Sequence, residues 1–246
     1  MAKFKKYDPD SIFHSLLEFC MSEDDRDYVS FHRFRFSKII NNLLPHLKSG
    51  MKVANIGLSI LDPLMLKIME EYSVDYTVIV PDDKFPDLLH NTSFDAIPKC
   101  TYDVTIRHES VTCRNEFDIV MFYEVMEHLL APDELILSNI SMLLKNGGLL
   151  LGSVPNAVAI ESRLAVLLGR NIFWSKENLI NGVYGGYGHL RLYTFSEILD
   201  LLHPNFSVTK IYGYSPYNYP LNMRWLLNRF LPKTLRSVIF FEAIKK

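Results

Sequence analysis

The sequence predicts an α/β protein built on a doubly wound, mostly parallel sheet with helices on both faces, a three-layer α/β/α arrangement. Three observations carry this. Short apolar runs recur at 53–56, 77–80, 117–122 and 149–154, helical patterns separate them, and turn or cap residues sit at the junctions. Strands covered on both faces read as unbroken apolar runs, unlike the alternating strands of a half-exposed sheet. With 246 residues the chain can bury a substantial core, and one domain over 1–246 is expected. Within it we expect an N-terminal helical extension (1–36), a core (37–212) and a C-terminal segment with the last strand (213–246).

Taken in order, Ile12, Phe13, Leu16, Leu17 and Phe19 have helical spacing, and Ile39, Ile40, Leu43, Leu44 and Leu47 form one face of a helix closed near Gly50. Val53 to Ile56 is a short buried strand ending at Gly57, and Asp62-Pro63 opens a helix, aspartate as N-cap and proline in the first turn. Thr77 to Val80 is the second strand, Asp103 to Ile106 the third and Phe117 to Phe122 the fourth. A helix over 132–144 closes at Asn146-Gly147-Gly148, and Leu149 to Val154 is the fifth strand. Thr194 and Glu197 form a capping box for a helix through Leu202, and Ser207 to Tyr212 and Ser237 to Ala243 are the last two strands. Asn222 to Leu231 has an apolar face beside Arg224 and Arg229, which suits a core-packed helix and, less well, a membrane surface.

Composition excludes several classes. A formal charge of -2 without a basic stripe argues against nucleic acid. Cys20, Cys100 and Cys113 have no paired spacing, so free buried thiols are expected in place of a disulfide framework or zinc site. The basic N-terminus runs into Tyr7-Asp8-Pro9 instead of an apolar stretch, and no segment is long and apolar enough to span a bilayer, so the expected address is the cytoplasm. A homodimer is compatible with the sequence, but no feature demands one.

Ligands of open α/β sheets bind beyond the carboxyl ends of the strands, which directs attention to Gly57–Leu61, Asp82–Asp83, Tyr123–His128 and Ser153–Asn156. Phe117 through Leu129 (FDIVMFYEVMEHL) resembles the fourth-strand motif of class I S-adenosylmethionine-dependent methyltransferases, and Leu144 through Asn156 (LKNGGLLLGSVPN) resembles their fifth-strand motif. Gly188 through Thr194 (GHLRLYT) is similar to a segment of those that modify sugars, quinones and other small molecules. The resemblance implies a Rossmann-like sheet with an antiparallel last strand and S-adenosylmethionine as cofactor. Where that family has an acidic residue and then alternate glycines, this chain has Asn55, Gly57, Ser59 and Leu61, so one glycine remains and Leu61 puts a bulky group beside the donor.

By the same resemblance, Asn55, Gly57, Ser59, Tyr123 and Glu124 belong to the donor site, Asp82 or Asp83 would hold the ribose hydroxyls, and Glu109 would approach the adenine. The aspartates equally suit capping of the next turn. His128 and His189 are the expected proton acceptors, imidazole being the side chain that titrates near neutrality, although His128 could instead serve as a hydrogen-bonded helix-start residue. Asn156, Tyr187 and Arg191 are expected to contact the acceptor, Arg191 by binding an anion or else by pairing with a helix. Glu124 and Glu127 face a ligand or pair locally. No histidine has metal-ligand spacing along the chain, so a metal-free site is expected. The implied reaction is methyl transfer to an oxygen or nitrogen of a small molecule or glycan precursor. The altered loop supports an alternative, a non-catalytic protein of the same fold acting as partner or scaffold. A nicotinamide oxidoreductase would need GxGxxG after the first strand, which is missing.

Overall fold

A computed structural model describes residues 6–82, 94–107, 113–181, 188–217 and 223–246. Its centre is a seven-stranded sheet of β1 (Lys52–Ile56), β2 (Asp75–Val80), β3 (Lys99–Thr101), β4 (Phe117–Tyr123), β5 (Leu144–Pro155), β6 (Phe206–Tyr214) and β7 (Val238–Lys245), in the order β3-β2-β1-β4-β5-β7-β6. Pairing is parallel from β3 through β5, and only β7 runs antiparallel to its neighbours β5 and β6. The expected mostly parallel sheet with an antiparallel last strand is what the chain forms.

The period of two along each strand divides the core. Val53, Val78, Ile119, Met121 and Leu151 face one side, packed with α1 (Pro9–Leu16), α2 (Glu23–Leu43) and α3 (Asp62–Glu71). Ala54, Ile79, Val120, Phe122 and Leu150 face the other, packed with α4 (Asp133–Leu143) and α7 (Phe195–Leu202). The expected capping box of Thr194 with Glu197 starts α7, and a second one, the Ser22 hydroxyl with the Asp25 carboxylate, starts α2.

Several boundaries differ from expectation. The edge strand is Lys99–Thr101, because Asp103 turns the chain by accepting hydrogen bonds from Thr105 N and Oγ1. β5 begins at Leu144, so Asn146-Gly147-Gly148 lies inside a strand, with Gly147 at φ +73°. The helix containing Ile39 extends back to Glu23, across the expected boundary at residue 36. Cys100 and Cys113 form a disulfide, correcting the free-thiol reading, since β3 and the turn before β4 bring residues 13 apart in sequence together; Cys20 is free. The helix α8 (Met223–Phe230) is not core-packed: Trp225 and Phe230 are 60% and 70% exposed and meet edge to face. The helix α5 (Ile160–Leu167) buries no residue, and α6 (Lys176–Asn181) follows it. Among the described residues no helix is long and apolar enough to cross a membrane.

Candidate functional site

Strand order reverses direction between β1 and β4, and the loops beyond these two strands form the crevice where open α/β sheets bind ligands. Gly57 ends β1 at φ +82°, and a Cβ there would lie 3.6 Å from Val125 Cγ2, so the two loops touch. The glycine answers a backbone demand. Leu61 needs none, with φ -76° at the N-cap of α3 and its side chain 4% exposed in the core. The expectation that Leu61 crowds the donor crevice is therefore corrected: it points inward.

The loop is organised by Asp62, which is 1% exposed. Its carboxylate accepts from Ser59 N, from Asn55 Nδ2 and from the Tyr76 hydroxyl, while Asn55 Nδ2 also reaches Gly57 O at 3.0 Å. Asp62 is thus no N-cap, because its side chain turns back into the loop instead of onto α3. Burial pushes its carboxyl up to about 6, and the hydrogen bonds from Tyr76, Ser59 and Asn55 limit the rise. The negative charge absent at Asn55 is present seven residues later, beneath the same loop.

At the end of β4, Glu124 has φ +55° and donates its backbone N–H to Ser153 O. Its side chain accepts from Ser153 Oγ at 2.7 Å and Arg35 Nη1 at 3.3 Å. Arg35, whose side chain is 11% exposed, comes from α2 and also donates to the Tyr28 hydroxyl. It is the site residue that sequence reasoning missed, and 89 residues separate the pair. Tyr123 faces the α2 side of the sheet and packs against Phe240, with ring centroids 6.0 Å apart, so it is a core residue.

Glu127 is fully buried, and among the described residues neither carboxylate oxygen has a hydrogen-bond partner. Burial raises its carboxyl well above the usual range, Glu124 adds to the rise and Arg35 opposes it. His128 Nε2 and His189 Nε2 each lie 4.0 Å from Glu127 Oε1, and the two imidazoles meet edge to face with centroids 4.8 Å apart. The 188–193 segment is fixed across the strand ends by Leu190 N donating to Glu127 O and Tyr193 N to Pro155 O. Trp174 stacks on His189 at 4.7 Å, and Gly188 permits it, since a Cβ there would fall 2.4 Å from the indole. Desolvation, followed by His128 and Arg35, lowers the His189 imidazole to about 4.

The other expected site residues fall elsewhere. Asn156 is 3% exposed and donates to Thr234 O and Arg236 O while accepting from Val158 N, so it ties β5 to the approach to β7 instead of meeting an acceptor. Arg191 pairs with Asp133 and Glu197, both at 2.9 Å, realising the helix-pairing alternative. Asp82 lies exposed just past β2. Asp83, Glu109 and Tyr187 lie outside the described residues.

No family model matches the sequence, and no curated protein matches it. Solved structures do. A methyltransferase from Thermotoga maritima described as S-adenosylmethionine-dependent, a possible histamine N-methyltransferase, is 15% identical, with 95% of this chain and 100% of that one covered at a TM-score of 0.57. One from Archaeoglobus fulgidus is 16% identical, covering 87% and 97% at 0.55. A [4+2]-cyclase is 12% identical, covering 87% and 81% at 0.55, so this fold also carries other chemistry. The chain has the Rossmann-like fold of the class I S-adenosylmethionine-dependent methyltransferases.

Proposed function

We propose that this protein transfers a methyl group from S-adenosylmethionine to an oxygen or nitrogen of a small molecule or glycan precursor. The observation that carries the reading is the crevice at the carboxyl ends of β1 and β4, where Gly57 meets Val125 beside Glu124, Glu127, His128 and His189. Likeness in fold over nearly the whole length of two methyltransferases supports it.

The residues fit the donor in part. The turn at Gly57 brings backbone to the crevice, and Asp82 at the end of β2 offers a carboxylate suited to a vicinal diol. Against this, Ser59 N is already engaged by Asp62. When bound, the donor supplies an electrophilic methyl on a sulfonium. The chain's own part is to hold the acceptor against that methyl, beside the His128 and His189 imidazoles, which is worth up to roughly 7–11 kcal/mol in favourable cases.

Calorimetry with S-adenosylmethionine and S-adenosylhomocysteine tests the reading. Saturable one-to-one binding is expected. Ligand at a hundred times its Kd adds about 2.7 kcal/mol, which for a domain of this size raises Tm by roughly 5–11 °C. Absence of binding at millimolar donor overturns it and leaves a fold without the activity.

A further inference from the structure

We propose that Glu127, His128 and His189 form a binding site for a divalent transition-metal cation, with an open side where the acceptor hydroxyl binds. One ligand atom from each of the three lies within 4.8 Å of the others. Around a tetrahedral ion with bonds of about 2.0–2.1 Å, ligand atoms sit roughly 3.3 Å apart, so side-chain adjustments of under about 1 Å close the site. Glu127 supplies the second, independent observation. It is fully buried with two oxygens that no donor among the described residues satisfies, and a buried carboxylate requires a counter-charge or hydrogen bonds. Arg35 acts on Glu127 through its charge alone and gives it no hydrogen bond, because its guanidinium is directed to Glu124 and Tyr28.

Glu124 is a neighbour of the site and not a ligand, since Ser153 and Arg35 occupy its two oxygens. Two imidazole nitrogens and one carboxylate favour zinc, cobalt or manganese over magnesium or calcium, which take oxygen ligands. The two histidine side chains keep 31% and 23% of their surface exposed, so the open face of the ion points towards solvent, as in sites where a cation acts on a substrate. Trp174 covers the outer face of His189 and fixes its ring. The proposal reverses the metal-free expectation, which rested on spacing along the chain; the fold brings in His189 from more than sixty residues away.

The catalytic part rests on the methyl-transfer reading, whereas cation binding does not. Bound to the cation, an acceptor hydroxyl is acidified and releases its proton to solvent. Its oxygen then forms the new bond to the methyl carbon as the carbon–sulfur bond breaks. The products are the methyl ether, S-adenosylhomocysteine and that proton.

The test uses the full chain, freed of metal by a chelator and without donor, titrated with Co²⁺, Zn²⁺ and Mg²⁺ by calorimetry and, for Co²⁺, visible absorption. One equivalent of Co²⁺ or Zn²⁺ should bind at least about tenfold more tightly than Mg²⁺. Replacing an outer-shell partner of a metal costs 10- to 100-fold, so Glu127→Gln and His189→Asn, which remove ligands, should each weaken binding by more than about tenfold. Should Glu127→Gln fail to fold, His128→Gln at a partly exposed position serves in its place. Lack of Co²⁺ and Zn²⁺ binding, a preference for Mg²⁺, or binding unchanged in the folded variants overturns the site. Donor binding measured separately distinguishes this failure from that of the methyl-transfer reading.

Discussion

Asp62→Asn isolates the cost of keeping a charge beneath the β1 loop. In the folded chain the Asp62 carboxyl titrates near 6, against 3.8 when free. The folded state binds this proton more tightly than the unfolded state does, so the contribution to stability is full below pH 3.8 and is lost as the pH rises through 6. At 1.36 kcal/mol per pH unit, the ionised group costs about 3 kcal/mol by neutral pH. Asparagine removes the titration while keeping one oxygen for Ser59 N. Urea denaturation of both proteins at pH 4 and pH 7.5 should show the gap between them moving in favour of the variant by a little over 2 kcal/mol at the higher pH. Parallel pH profiles would refute the reasoning, because they would mean that Asp62 is solvated or paired with a cation.

Arg35→Ala leaves Glu124 buried without its ion-pair partner and should cost about 3–5 kcal/mol in urea denaturation. Gly57→Ala introduces no overlap, since its Cβ would be 3.6 Å from Val125, so only the φ of +82° penalises it, by about 1–2 kcal/mol in thermal unfolding. Leu61→Ala should cost about 2–5 kcal/mol without tightening donor binding in calorimetry, because Leu61 fills core and not crevice.

The parts of this fold that were legible in the sequence are those whose signal is local. The apolar runs of β1, β2, β4 and β5 and the Thr194 capping box announce themselves over a few residues. The direction of Leu61 was not legible, since a leucine at a loop position reads the same whether it points into a crevice or a core. Nor was the start of β5, where Asn146-Gly147-Gly148 has the composition of a turn but forms an irregularity inside the strand, between the paired residues Leu144 and Leu149. At the site, the β4 loop was found from its motif, but its partners were not. Arg35 arrives from a helix assigned to an extension, and Glu127 gains its meaning only when His189 is folded over it. Two other expected ligands, Asn156 and Arg191, have side chains whose chemistry suits a substrate and a structural hydrogen bond equally well.

The stacking of Trp174 on His189 gives the protein a built-in optical reporter. The sequence holds only two tryptophans, and the other, Trp225, lies on α8 beside Phe230. Intrinsic emission that changes with occupancy of the His189 ring, and keeps changing when Trp225 is replaced by phenylalanine, comes from the indole in van der Waals contact with that ring. The chain therefore carries its own fluorophore at the proposed site, and titrations there need no label.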